Sequence, residues 1–450
     1  MNATAPPPAF RALLTVLAVA LVPLAGPASA QEAQLAFVNV SVITMDGKPL
    51  AKQTVIVSGD RIVAMGPFDK IGIPQGVNRI ESDAPRYLMP GMAELHGHIP
   101  PPADSKAYIE NVLFLYVANG VTTVRGMLGH EGQLDLRQQA NTGKIVSPSL
   151  YLAGPAFDGG LTPQQASQRV RQQKSEGWDY LKILWGPSQA EYDSLARTAK
   201  EIGMPFVGHV PRKVGIRHVL ASGQQTVDHL DGYIEYLDGT AGPISEEKIA
   251  EVVKLTKESG VWVVPTMVVW ENLFGDTPTE TVLAYDGLEY LPPDLVKRWT
   301  ESHRRRTSGA GFDRVAARHR IENRMRLLRA MNEAGVKILF GTDSPQQFSV
   351  PGFSIYREMQ RMQQAGMSAQ QILHSATAAA GEYFKDKDRF GKIAVGQRAD
   401  LVLLKANPLD DIANVSQQAG VMVRGRWLSE QDIASRLQQI AAGYETGKEK

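Results

Sequence analysis

Eight apolar, strand-length runs in residues 88–384 constrain this chain most, ending at His96, Arg125, Ala153, Ile183, His209, His229, Thr266 and Asp343. Most are separated by stretches of helix length, among them residues 164–176, 189–202 and 245–259. Strands alternating with helices predict a parallel sheet, and eight such units are what an α/β fold of the (β/α)8 TIM-barrel type requires. An open doubly wound sheet is the rival architecture, but no Gly-rich phosphate loop follows the first run to support it. Residues 271–329 are too long for a plain connection and rich in Arg, which predicts extra helices near the barrel mouth.

The flanks have a different texture. Residues 37–43 and 54–57 read as short strands, and Ser58-Gly59-Asp60 turns into residues 61–64 as a hairpin. Residues 400–404 and 421–423 repeat the pattern, with Gly425 at a turn before Trp427. Two β-rich ends around a long middle predict one small β-sandwich domain built from residues 31–87 and 391–450. The barrel then spans 88–390.

Residues 1–30 have the features of a secretory signal. Arg11 precedes an apolar stretch from Leu13 to Val22, interrupted by Thr15, and Ala28-Ser29-Ala30 follows. That stretch is shorter than the roughly 20 residues a membrane span needs. A buried N-terminal helix is the alternative, which Pro6 to Pro8 and the Ala-x-Ala end disfavour. The expectation is cleavage before Gln31 and an exported protein, periplasmic or secreted, with no membrane anchor.

Lys+Arg 48 balance Asp+Glu 47 to a net charge of +1, which offers no footprint for nucleic acid or anionic lipid. The expected partner is a small-molecule substrate, with a homo-oligomer left open. No cysteine is present, which removes thiol nucleophiles, thiolate zinc sites, iron–sulfur clusters and disulfides together. A metal site in this chain is therefore built from His, carboxylates and Lys-derived ligands.

His96-Gly97-His98 follows Met92-Ala93-Glu94-Leu95 at the end of the first run. Alternate residues of a strand share a face, so both imidazoles can reach one metal ion. Taken alone, two exposed loop histidines explain the pair equally well. His209, His229 and Asp343 change that balance, because each closes another predicted strand, at the face where barrel enzymes hold their catalytic groups. By contrast His218, His303, His319 and His374 fall in helical stretches and are expected at the solvated surface.

Lys182 interrupts the apolar run Asp179-Tyr180-Leu181-Lys182-Ile183-Leu184. Inside a barrel its charge needs a partner; outside it can lie along a helix with its head in water. The residues alone leave both orientations open. Arg125, His130 and Tyr233 lie just past strand ends and are candidates for substrate contact, Arg125 as a fork for a carboxylate and Tyr233 as a donor to a carbonyl oxygen. A structural role is the alternative for each. Trp185 and Trp270 are candidates for pocket wall or for core, and Arg304-Arg305-Arg306 reads as a solvated helix face.

His96-x-His98, Lys182, His209, His229 and Asp343, on barrel strands one, four, five, six and eight, resemble the ligand set of the binuclear metal-dependent amidohydrolase superfamily. More narrowly, the chain is similar to its imidazolonepropionase-like and prolidase-like branch. Leu88-Met89-Pro90-Gly91-Met92, Gly120-Val121-Thr122-Thr123-Val124-Arg125 and Gly391-Lys392-Ile393-Ala394-Val395-Gly396-Gln397-Arg398-Ala399-Asp400 support the likeness, which covers nearly all of the chain after residue 30. The resemblance implies that Lys182 points inward, is carboxylated by carbon dioxide and bridges two divalent metals. Glu94 in place of the usual Asp, Gly126 after Arg125, and Val210-Pro211 after His209 depart from the family pattern. They leave the ligand set intact and weaken any substrate assignment by analogy.

That set implies a hydrolase. Two divalent metals acidify water and polarise a scissile carbonyl, with Asp343 as general base and then general acid. Imidazole and carboxylate ligands suit zinc, with manganese or cobalt as substitutes. The expected substrates are dipeptides, N-acyl amino acids or cyclic amides. A lactonase or esterase on the same site is a variant, and a non-catalytic metal-binding barrel acting as a binding module is the rival class. Imidazolonepropionase itself is disfavoured, because histidine breakdown is cytosolic and this chain carries the features of export.

Overall fold

The computed structural model describes residue 1 and residues 35–45, 47–240 and 242–445, so the expected signal peptide lies outside the described residues. Five strands come first: β1 Leu35–Val42, β2 Leu50–Ser58, β3 Arg61–Pro67, β4 Asn78–Ile80 and β5 Tyr87–Pro90. The middle of the chain carries β6 Met92–Gly97, β7 Val121–Gly126, β8 Ser149–Leu152, β9 Leu181–Ile183, β10 Phe206–Gly208, β11 Thr226–Asp228, β12 Trp262–Val264 and β13 Lys337–Ile338. The last three strands are β14 Leu401–Leu404, β15 Gln418–Val423 and β16 Arg426–Ser429.

The flanking strands pair into one eight-stranded sheet in the order β16-β15-β14-β5-β1-β2-β3, with β4 also on β1. Strand β5 joins the two flanks, antiparallel to β14 and parallel to β1, so the sheet runs on to Pro90. Its inward residues share a core that includes Phe37, Val55, Leu88, Leu401 and Met422. The hairpin turns of the two flanks meet at Gly425. This residue has φ 78°, and a Cβ there would lie 1.8 Å from the carbonyl oxygen of Gly59, so only glycine fits.

All six residues of β6 and of β7 are buried, which is why parallel strands covered on both faces read as continuous apolar runs. Strands β6, β7 and β8 form one parallel sheet, and β9 to β13 form another. Parallel bridges Ala153↔Tyr180 and Phe157↔Ile183 join the end of β8 to β9. At the other edge, the backbone N–H of Leu95 donates to Phe340 at 2.9 Å, that of Asp343 to His96 at 2.8 Å, and that of His98 to Ser344 at 2.8 Å. These bonds bring the segment after β13 alongside β6.

Helices fill the connections with clear start and stop signals. Pro163–Glu176 begins with a Thr162 capping box and ends on Gly177 at φ 93°. Gln189–Glu201 and Glu246–Ser259 are capped by Ser188 and Ser245. The long Arg-rich segment folds largely as helices, among them Pro293–Ser308 and Arg314–Ala334. No helix among the described residues is long and apolar enough to cross a membrane.

One surface expectation fails here and another holds for two residues of three: Arg304 and Arg305 are exposed, whereas His303 and Arg306 turn inward. His303 is buried, because its face of Pro293–Ser308 packs inward, with Nδ1 3.0 Å from Thr279 Oγ1 and the ring edge-on to Phe348. Arg306 is half-buried and donates to the carbonyls of Gly275 and Asn272 at 2.7 and 2.9 Å, which ties down the loop before this helix.

Candidate metal centre

His96 and His98 leave the same end of β6 and meet Asp343 from beyond β13. Each offers a ligand atom, and the three atoms lie within 4.8 Å of one another. Asp343 Oδ1 is 2.7 Å from His98 Nε2 and 3.6 Å from His96 Nε2. His209 follows β10 and His229 follows β11. Their ring centres are 4.5 Å apart, and His229 is 4.3 Å from His96. Lys182 lies mid-strand in β9 and points inward: it is buried, with Nζ 3.2 Å from His96 Nε2.

Three of the imidazoles use Nδ1 on a neighbour. His96 Nδ1 donates to Asp228 Oδ2 at 2.8 Å, and His209 Nδ1 donates to Asp231 Oδ2 in a short hydrogen bond. His229 Nδ1 lies 2.6 Å from Thr266 Oγ1. That pattern fixes the ring orientations and leaves each Nε2 for another partner. The Nε2 of His229 is buried and has no hydrogen-bond partner among the described residues. Burial, followed by neighbouring cationic and imidazole groups, holds His96 and His229 well below the ordinary histidine range. Burial also lowers His209, with Lys182 adding to it, and pulls Lys182 down to about 8. Neutral imidazoles with an unengaged nitrogen and a carboxylate close by are the donor types a divalent metal takes. The residues fit the group.

A cavity of about 720 Å³ lies behind two tryptophans that touch the site, and none of the six expected ligands is among the residues lining it. Trp185 and Trp270 both line it, and the Trp185 ring is 4.1 Å from that of His209. Arg324, buried on the helix Arg314–Ala334, lines it too and stays cationic at neutral pH, although burial lowers it to about 10. A smaller cleft of about 280 Å³ is lined by His98, Asp104 and His130.

The amidohydrolase family model matches residues 87–428. The chain belongs to that family. Ochratoxinase of Aspergillus niger is 23% identical over 455 residues, covering 86% of this chain and 84% of its own. The solved structure of bottromycin amidohydrolase is similar with a TM-score of 0.71 at 23% identity, over 91% of this chain and 90% of that one. A Xaa-Pro dipeptidase with bound methionine in the active site gives 0.65 at 20% identity, over 88% of this chain and 99% of that one. At these identities the structural likeness establishes the fold, a mixed α/β architecture of the TIM-barrel type.

Within this amidohydrolase, two of the expected substrate contacts face elsewhere. Arg125 is fully buried behind the imidazoles. Its Nε donates to the Leu95 carbonyl at 2.6 Å, Nη1 to Tyr383 Oη at 3.0 Å, and Nη2 lies 3.4 Å from Asp228 Oδ2. Its fork is taken up inside the protein, against the carboxylate that orients His96. Tyr233 is also fully buried, and its hydroxyl accepts from Thr256 Oγ1 at 2.9 Å in the helix Glu246–Ser259. His130 does line the smaller cleft beside His98.

The orienting residues Asp228, Asp231 and Thr266 are functional positions that strand-end placement of ligands does not single out. A signal existed in Asp228-His229-Leu230-Asp231, where acidic residues crowd a candidate ligand. Glu94 is a further case. Buried, it accepts from the backbone N–H of His96 and Thr342 at 3.1 and 2.8 Å and from Thr342 Oγ1 at 2.6 Å. It thereby ties the His96 strand to the segment carrying Asp343, and burial raises it to about 8.

Proposed function

We propose that this amidohydrolase cleaves the amide C–N bond of a small acylated substrate, such as a dipeptide, an N-acyl amino acid or a cyclic amide. His96, His98, Lys182, His209, His229 and Asp343 would hold two divalent metals, zinc first, with manganese or cobalt as substitutes. The observation that carries this reading is the set of Nδ1 anchors on His96, His209 and His229, which leaves their Nε2 atoms available to a metal, next to the ligand atoms of His96, His98 and Asp343 that lie within 4.8 Å of one another. Bound there, such metals would acidify water and polarise the amide carbonyl.

The chain's own residues supply the rest. Asp343 accepts a proton from the attacking water and returns it to the leaving nitrogen, as general base and then acid. Asp228, Asp231 and Thr266 keep three rings from rotating. Lys182 as an ammonium would oppose a cation held by His96, only 3.2 Å away. Carboxylation by carbon dioxide turns that charge negative and adds two oxygen donors, which favours the modified form at this position.

The reading extends to architecture and location. The seam bonds of Leu95, His98 and Asp343 support closure of β6 to β13 into one barrel, and the shared core of the flanking sheet supports its folding into a sandwich. The features of residues 1–30 support export to a periplasmic or extracellular space. A hydrolysis panel of dipeptides, N-acyl amino acids, cyclic amides and esters tests the activity. Turnover of amides, lost on chelation and restored by a divalent metal, is the expected result. Ester turnover alone, or none at all, would overturn the reading.

A further inference from the structure

Arg324 is 3% exposed, yet it lines the cavity of about 720 Å³ behind Trp185 and Trp270. Its Nη1 donates to the backbone carbonyl of His229 in a short hydrogen bond, and its Cζ sits 4.0 Å from the centre of the Trp270 ring. A guanidinium has five N–H donors in a planar fork, and the His229 bond is the only one Arg324 makes among the described residues. The remaining donors have the cavity to bond into. Burying a cation with no paired anion is costly, so a group in this position calls for one.

Asp231 and Glu235 on the cavity act on Arg324 through space and favour its charged form, but neither makes an ion pair with it among the described residues. Asp231 is taken by His209 Nδ1 and by Trp185 Nε1 at 2.8 Å. Glu235 is exposed and accepts from the Gly232 N–H at 2.9 Å. Arg320, also on the cavity, uses its Nε on the Thr240 carbonyl at 3.0 Å, which adds positive charge. Around these groups the wall is apolar. Trp185 is 39% exposed there, and Trp270 stacks on Phe274 with centres 4.5 Å apart.

We propose that Arg324 anchors a carboxylate of the substrate, so that the site selects acylated amines carrying a free carboxylate beside a bulky apolar group. This rests on the amide-hydrolase reading and deepens it. Arg324 holds the backbone carbonyl of His229, and the cavity's Trp185 and Trp270 rings lie 4.1 and 5.9 Å from those of His209 and His229. A carboxylate forked by Arg324 would therefore place its neighbouring amide on the imidazole side of the cavity. The apolar group then packs on the tryptophan wall. Lysine, a point charge, cannot reproduce the fork.

Trp185 and Trp270 report occupancy of the cavity, so quenching of tryptophan fluorescence measures binding directly. The probes are 3-phenylpropionate, its neutral isostere 3-phenylpropionamide, and acetate. Titrations on the metal-free full chain keep the carboxylate from binding a metal instead. The expected result is that 3-phenylpropionate binds at least about tenfold tighter than the amide, and acetate more weakly than either. Arg324→Gln should erase the acid preference while retaining amide binding, and Arg324→Lys should restore only part of it. Equal binding of acid and amide by the unmodified protein would overturn the proposal, whatever the variants do, and so would a preference that survives in Arg324→Gln. A parallel comparison of kcat/KM for N-acetylphenylalanine and N-acetylphenethylamine separates the two readings. Equal hydrolysis of both keeps the amidohydrolase activity and overturns the anchor. Acid-selective binding with no amide turnover upholds the anchor and overturns the activity.

Discussion

Thr266 holds His229 from a backbone conformation that β-branched residues avoid: its Oγ1 is 2.6 Å from His229 Nδ1 while its φ is 43°. Strain of this kind amounts to about 1–3 kcal/mol per residue and persists where the surroundings enforce it. Glu358 provides the enforcement. Its carboxylate accepts from the backbone N–H of Met267 and Val268 at 2.8 and 2.9 Å, clamping the helix Met267–Phe274 at the residue after Thr266. His229 and Asp343 share the left-handed region, at φ 65° and 61°.

Removing the hydroxyl should loosen His229. For Thr266→Ala the expected loss is roughly 10–100-fold in metal affinity or kcat, with Thr266→Ser close to the parent protein. Thr266→Gly relieves the backbone and should match Ala in function while unfolding at higher denaturant than Ala. Metal titration and denaturation of the three variants check this. Parental metal affinity and turnover in Thr266→Ala would contradict an orienting role.

Arg125 should behave as a structural cation. Arg125→Met leaves Asp228 buried without its charged partner, and breaking a buried pair costs about 3–5 kcal/mol. Urea unfolding should show a loss on that scale. Near-parental stability with a selective rise in KM for carboxylate substrates would return Arg125 to the substrate site.

Glu358 gives stability a pH dependence. Burial raises its carboxyl from 4.5 to about 7, so the folded protein holds this proton more tightly than the unfolded chain. The associated stabilisation is fully present below about 4.5 and is lost as pH rises toward about 7, on the order of 3 kcal/mol for this one group. Glu358→Gln cannot titrate. The difference in unfolding free energy between parent and variant, measured from pH 4.5 to 7.5, should move against the parent as pH rises. A flat or opposite difference would contradict the assignment.

Much of this was legible in the chain because parallel strands buried on both faces must be apolar runs, and polar residues at their ends stand out. The predicted ends fall within one or two residues of β6 to β12, whereas Asp343 lies well past β13, which stops at Ile338. There the backbone leaves the sheet and bonds instead to His96. Side-chain direction was less legible. Whether Arg125 meets substrate or Asp228 depends on a strand about a hundred residues away, and local pattern carries no trace of it. His303 follows the same logic, since a helix with two packed faces does not announce which one is covered. Arg324 was hidden in an Arg-rich stretch where its neighbours are surface residues.

Metal content and activity, measured on one sample of purified full chain, test the central claim most directly. Elemental analysis should give near two divalent ions per chain, amide hydrolysis should vanish on chelation and return with added metal, and Lys182→Ala should fall well below two. A protein that hydrolyses amides at full rate with one ion or none, indifferent to chelator and to Lys182→Ala, would contradict the account.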